Sequence, residues 1–224
     1  LPLKFNSINS LYWISLNNNL AFIGDKEDQS NLYVYDYDKK KLETMTNDIF
    51  TDAIPTWGWD GKKIFFTSDR GEYTDPAKIP KDLKMWNYDY SNSDYYSIDI
   101  KTKEITRISE TKDARESYAQ ISSDGKKALF LSDKSGITNI YMREADSTGT
   151  IINKPITNAL NPIDQLSLSR DGKKLLFTSL NKGAYDIYSL DNPFERNLGL
   201  TELVLTDFQK DQNKYPNRFG KEEG

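Results

Sequence analysis

The side chains able to do chemistry in this chain are carboxylates, amines and hydroxyls: among 224 residues there are 34 Asp and Glu and 30 Lys and Arg, but no His and no Cys. Without imidazole or thiol, no Ser-His-Asp triad, Cys-His pair or His-ligated zinc centre can be assembled from this chain alone. Carboxylate-only acid–base chemistry of the glycosidase kind remains, yet spacing singles out no pair of Asp or Glu for it. The chain is therefore expected to perform no catalysis by itself and to carry no cofactor. Asp25, Asp69 and Asp133 recur at one point of an internal repeat and could together hold calcium. Turn capping is the simpler reading, because none of them sits in the dense alternation of carboxylates typical of calcium loops.

One segment has the composition of a binding surface. Residues 70–92 combine Arg70, Tyr73, Trp86, Tyr88 and Tyr90 with Lys78, Lys81 and Lys84, a mixture enriched at protein-binding hot spots. They are the candidate partner-binding residues, in a loop that either contacts a partner or covers a pore. The alternative is a loop whose rings pack back onto the scaffold, since long loops are functional or poorly ordered.

The elements that position this loop emerge from self-similarity. Trp57-Gly58-Trp59-Asp60-Gly61-Lys62-Lys63-Ile64-Phe65-Phe66-Thr67-Ser68 returns as residues 121–132 and again as residues 168–179, and a degenerate copy spans Trp13 to Asp25. A second box comes after each: Asn31-Leu32-Tyr33, Asp94-Tyr95-Tyr96, Asn139-Ile140-Tyr141 and Asp186-Ile187-Tyr188. Taking Leu16, Asp60, Asp124 and Asp171 as equivalent, the units lie 44, 64 and 47 residues apart. That is the period of a propeller blade, with residues 70–92 as the extra length in the second. Asp-Gly between short β-rich runs predicts a two-residue type I′ hairpin joining the first two strands, with positive φ at both central residues. The Tyr-containing run supplies a third strand, and Leu42 to Thr46 or Glu104 to Ile108 a fourth, so each unit reads as a four-stranded antiparallel meander. In such a meander the insertion leaves on the side of the blade-to-blade connections, opposite the Asp-Gly turns. Trp13 and Trp57, at one repeat position, are expected in core or blade-interface packing, as are the four repeated tyrosines. The Lys-Lys pairs after Asp-Gly are expected to keep that rim soluble.

Asp-Gly-Lys-Lys, an apolar triplet, Thr-Ser or Leu-Ser, and then Asp-Ile-Tyr together resemble the WD-like repeat of TolB-like β-propellers over about residues 8 to 208. The family's usual Trp-Ser-Pro before Asp-Gly is replaced by Trp57-Gly58-Trp59, Ile121-Ser122-Ser123 and Leu168-Ser169-Arg170. The expected fold is all-β: four blades at about 8–48, 49–113, 114–161 and 162–208, part of a larger ring, with a polar tail at 209–224. Leu1 to Phe5 read as the stub of an earlier blade and carry neither the basic region nor the apolar run of a signal peptide. No stretch reaches the roughly 18 to 20 apolar residues of a membrane helix. The net charge of −4 is spread without a basic block, so nucleic acid is not expected as a partner. The absence of cysteine fits either redox compartment.

The resemblance implies a scaffold of the periplasm or cell envelope that binds a protein or peptide partner; from the residues, no metal is expected. A second reading is the gating propeller of a serine peptidase resembling prolyl oligopeptidases, whose catalytic domain lies outside this chain. A third is a carbohydrate-binding propeller with aromatic stacking platforms.

Overall fold

The repeats fold as antiparallel meanders. In a computed structural model, residues 4–14, 16–88, 90, 92–111 and 114–214 are described. Blade one comprises β1 (Ser7–Ile14), β2 (Asn19–Lys26), β3 (Gln29–Asp36) and β4 (Lys41–Thr44). Blade two comprises β5 (Asp52–Trp57), β6 (Lys63–Ser68), β7 (Asp94–Asp99) and β8 (Ile105–Arg107). Blade three comprises β9 (Glu116–Ile121), β10 (Ala128–Ser132), β11 (Asn139–Ala145) and β12 (Ile151–Pro155). Blade four comprises β13 (Ile163–Leu168), β14 (Lys174–Asn181) and β15 (Ala184–Asp191). Strand order matches chain order in every sheet. The chain is thus all-β with four β-propeller blades, but the expected outer strand of blade four is not formed: its sheet has three strands, and residues 196–206 contain none. The polar tail also begins differently from expectation. Residues 207–214 form a helix, α1 (Asp207–Lys214), because the Thr206 hydroxyl accepts from the Gln209 N–H at its start; residues 215–224 lie outside the described residues.

Contacts divide the chain into two compact units, residues 1–128 and 129–224. In the first, one cluster joins Ala21, Ile23, Leu32 and Val34 of blade one to Trp57, Ile64, Phe66, Tyr96 and Ile98 of blade two. A second gathers Phe22, Tyr33 and Tyr35 with Phe5 and Leu20 on the opposite face of blade one. In the second unit Leu129, Leu131, Ile140, Met142 and Leu175 are buried. Each blade carries the same aromatic pair across its second and third strands, Phe22 with Tyr33, Phe66 with Tyr96, Phe130 with Tyr141 and Phe177 with Tyr188, at centroid separations of 5.6 to 5.9 Å. Trp57 is buried and its indole N–H donates to the Tyr12 carbonyl at 3.2 Å. Trp13, at the equivalent position and expected in core or interface packing, is instead half exposed with its ring edge against Tyr37.

The Asp-Gly hairpins are not two-residue type I′ turns. Only the glycines, Gly61, Gly125 and Gly172, have positive φ, and the turns close one step earlier, with the Gly61 N–H donating to the Gly58 carbonyl and the Gly58 N–H to the Lys63 carbonyl. The aspartate side chain explains the difference. Asp60, Asp124 and Asp171 each accept from the backbone N–H two residues on at 3.0 Å, which holds the Asp before a left-handed Gly in a four-residue loop.

A second recurring feature is a positive-φ residue three or four residues before the end of each first strand. Ser10, Ile54, Tyr118 and Gln165 all have φ between 50 and 58°, and the register shifts at three of these points, in β1, β5 and β13. Four different residue types in one strained conformation mean that the blade's twist imposes it. Gln165 is exposed, so its substitution isolates the backbone effect. Gln165→Val is expected to lower stability by about 1 kcal/mol in urea unfolding, and Gln165→Gly to leave it unchanged or higher.

Candidate functional site

The insertion between β6 and β7 starts from a buried charge. Arg70 is fully buried, and its guanidinium donates to Asp48 at 2.9 Å, to Asp52 at 2.7 Å and, through Nε, to the Ser68 hydroxyl at 3.1 Å. Its carbon Cζ lies 5.4 Å from the Phe66 ring centre, 5.6 Å from Phe50 and 5.7 Å from Tyr96. Asp52 also accepts from the Thr46 hydroxyl at 2.5 Å. Burial works against the Arg70 charge, but Asp52 and Asp48 outweigh it and raise its pKa. Burial pushes the Asp52 carboxyl up, with Arg70 and Thr46 pulling it back. Arg70 is therefore a structural centre that ties the insertion to the β4–β5 connection, and the expectation that it touches a partner is corrected: a guanidinium with no exposed surface cannot.

Two of the four candidate rings turn inward with it. Tyr73 stacks on Phe50 with centroids 5.5 Å apart, and Tyr88 tilts against both Phe50, at 5.5 Å, and Tyr73, at 6.1 Å. Gly71, at φ 55°, lets the Tyr88 hydroxyl approach, since a Cβ there would meet it at 2.4 Å. Burial raises the pKa of Tyr96, so its hydroxyl stays protonated and donates to the Gly71 carbonyl at 2.7 Å.

Between these anchors the chain forms two short 3-10 turns. Asp75 caps the first, Pro76–Lys78, by accepting from the Ala77 N–H, with Pro76 preorganised at its start. The second, Met85–Asn87, closes with the Tyr88 N–H on the Met85 carbonyl. The second carries Trp86 outward, 76% exposed with the Lys84 ammonium 5.8 Å from its ring centre, and Tyr90, beyond Tyr88, is 61% exposed. Rings packed back onto the scaffold thus describe Tyr73 and Tyr88, while Trp86 and Tyr90 face solvent.

The repeated carboxylates behave as turn and strand caps. Asp69 accepts from the Thr51 N–H at 2.8 Å, and Asp25 accepts from Ser30 at 2.7 Å, from Asn9 and from Ser7. Among the described residues no three acidic or other ligand-type side chains come together to hold a metal ion, and no helix is long and apolar enough to cross a membrane. Sequence reasoning missed Asp48, Phe50 and Asp52, which make the site's floor. They lie 18 to 22 residues before Arg70, a separation that no local period reports. Removing the guanidinium leaves two aspartates buried together without a counterion. Arg70→Met is expected to cost about 3 to 5 kcal/mol in urea unfolding, while Trp86→Ala, which truncates an exposed ring, is expected to stay within about 0.5 kcal/mol of the parent.

Comparison with protein-family models and with curated protein sequences finds no match. Solved structures do match. TolB from Acinetobacter baumannii superposes with a TM-score of 0.61 at 23% identity, over 83% of this chain and 41% of that one. TolB from Agrobacterium tumefaciens gives 0.61 at 20% identity, over 84% of this chain and 63% of that one. A prolyl endopeptidase gives 0.50 at 16% identity, over 90% of this chain and 29% of that one. The chain thus spans less than two thirds of each of these structures. At these identities the likeness lies in the fold, and the fold is that of a TolB-like β-propeller.

Proposed function

We propose that this chain is a non-catalytic propeller scaffold that holds a protein or peptide partner, with Trp86 and Tyr90 of the β6–β7 insertion as its contact. The observation that carries the reading is the division of labour within one loop: Arg70, Tyr73 and Tyr88 fix it, while Trp86, beside Lys84, and Tyr90 stand in solvent. Large rings presented on a fixed backbone are the usual anchors of protein interfaces. The proposed location, the periplasm or cell envelope, rests on the resemblance to TolB-like proteins. A second reading, the gating propeller of a prolyl-oligopeptidase-like serine peptidase with its catalytic domain outside this chain, is favoured by the likeness to a prolyl endopeptidase.

Crosslinking capture separates them, using the intact chain, a Trp86→Ala/Tyr90→Ala variant and a chain with residues 76–90 replaced by a short turn. The scaffold reading expects one defined protein partner, bound at least about thirtyfold more weakly by the double variant while its unfolding midpoint is unchanged. Equal capture by all three chains removes the loop from the site. Capture of short peptides of many sequences, indifferent to the loop, supports the gating reading, and loop-dependent binding to a glycan panel assigns the rings to sugar.

A further inference from the structure

Blades one and two repeat position for position around their first two strands, 44 residues apart. The Ser7 hydroxyl donates to Asp25 as the Thr51 N–H donates to Asp69, and Ile8 faces Gly24 across the sheet as Asp52 faces Ser68. The same offset puts Lys4 at the position of Asp48, Ile8 at that of Asp52 and Lys26 at that of Arg70. Blade one thus keeps a cation where blade two has its buried guanidinium, but it lacks both carboxylates.

The place of the guanidinium is taken by a ring. In blade two the Arg70 Cζ lies over Phe66 and Tyr96, whereas in blade one the Phe5 ring lies against their counterparts Phe22 and Tyr33, at centroid separations of 5.5 and 4.7 Å. Gly24 permits this, because a Cβ at that position, which is Ser68 in blade two, would meet the Phe5 ring at 2.7 Å. Lys26 is accordingly exposed, and with Lys4, Phe5, Gln29, Tyr33 and Leu42 it lines a cavity of about 620 Å³. Neither Lys4 nor Lys26 makes an ion pair among the described residues. Glu27, at the exposed turn between β2 and β3, is the one carboxylate among the lining residues, so positive charge is in excess. The volume falls in the range of sites for small organic ligands, which combine apolar walls with a few polar groups that fix orientation.

We propose that this cavity binds a small aromatic carboxylate, whose charged group supplies to blade one what Asp48 and Asp52 supply to blade two. Lys26 and Lys4 hold the carboxylate by charge-assisted hydrogen bonds, with the Gln29 amide as a further donor. The ligand's ring packs among Phe5, Tyr33 and Leu42.

Titration of the intact chain with N-acetylphenylalanine, followed by amide chemical shifts, tests this. The probe is expected to saturate with a Kd of about 1 mM and to move the resonances of residues 4–8, 24–31 and 42–47. The amide of the same compound, which keeps the ring and loses the charge, is expected to bind at least about fivefold more weakly, as is the acid to Lys26→Met or Lys4→Met chains. Lys4→Asp restores the carboxylate of blade two beside Lys26 and is expected to abolish binding of the acid, while Glu27→Gln is expected to tighten it about twofold. All three positions are exposed, so the unfolding midpoints of these variants are expected to match the parent's. The proposal is overturned by the absence of a saturable shift, by shifts centred on other residues, or by equal affinity of the parent and Lys4→Asp chains for the acid. Equal binding of acid and amide overturns it as well, and assigns the cavity to neutral apolar ligands.

Discussion

A blade is a sheet with two apolar faces, and the rest of this molecule is shaped by having to cover both. Along β3 the side chains alternate: Leu32 and Val34 enter one cluster with Trp57, Ile64 and Phe66, while Tyr33 and Tyr35 enter another with Phe5 and Phe22. The period of two that makes a strand thereby feeds two separate interfaces. The recurring Phe–Tyr pair lies on one of these faces in every blade, which is why those positions keep their ring type while flanking residues drift. In blade four the same pattern is exposed apolar surface. Ile187 is 75% exposed, but its counterparts Leu32, Tyr95 and Ile140 are at most 4% exposed. Leu176, Leu180 and Tyr185 share its face and are exposed with it.

What the sequence could report was local. The two boxes predict strands, their order and four repeats because hydrophobic alternation and glycine turns act over a few residues. The turn type was misread for an equally local reason: Asp tolerates positive φ, but here its carboxylate instead caps the N–H two residues on, as Asp60 does for Lys62. The positive-φ positions Ser10, Ile54, Tyr118 and Gln165 left no trace, since twist and register select the conformation whatever the side chain. The second box is also tied to a Thr or Ser just beyond the fourth strand, as the Leu32 N–H donates to Thr46 and Asn31 accepts from the Asp48 N–H, and that spacing was present in the sequence. Its meaning appears only when three sheets show the same two bonds, because Asp, Asn, Ser and Thr are common in turns for many other reasons.

The candidate site was legible in composition and illegible in detail for a further reason. Arg70, Tyr73, Trp86, Tyr88 and Tyr90 are alike as hot-spot residue types, and nothing in their order says which face inward. The sorting is done by Asp48 and Asp52, which draw Arg70 under the β4–β5 connection, and by Phe50, on which Tyr73 and Tyr88 then close. A buried ion cluster of this kind contributes little net stability relative to well-packed apolar residues in place of all its members, although removing Arg70 alone is costly. Its distinct property is direction. A guanidinium with two fixed carboxylates has one low-energy position, and an apolar side chain would have several.

That directional anchoring bears on how the loop can bind. A flexible 23-residue insertion would lose conformational freedom on docking, at about 0.5 to 1.5 kcal/mol for each side chain immobilised. Here the backbone is already held at Arg70, at Gly71 beneath Tyr88, and at two 3-10 turns with a Pro and an Asp at the first. Only the outward rings remain to be ordered. On the proposed reading, Trp86 and Tyr90 would meet a partner from a loop that has met most of its ordering cost during folding, leaving the free energy of burying them available for affinity.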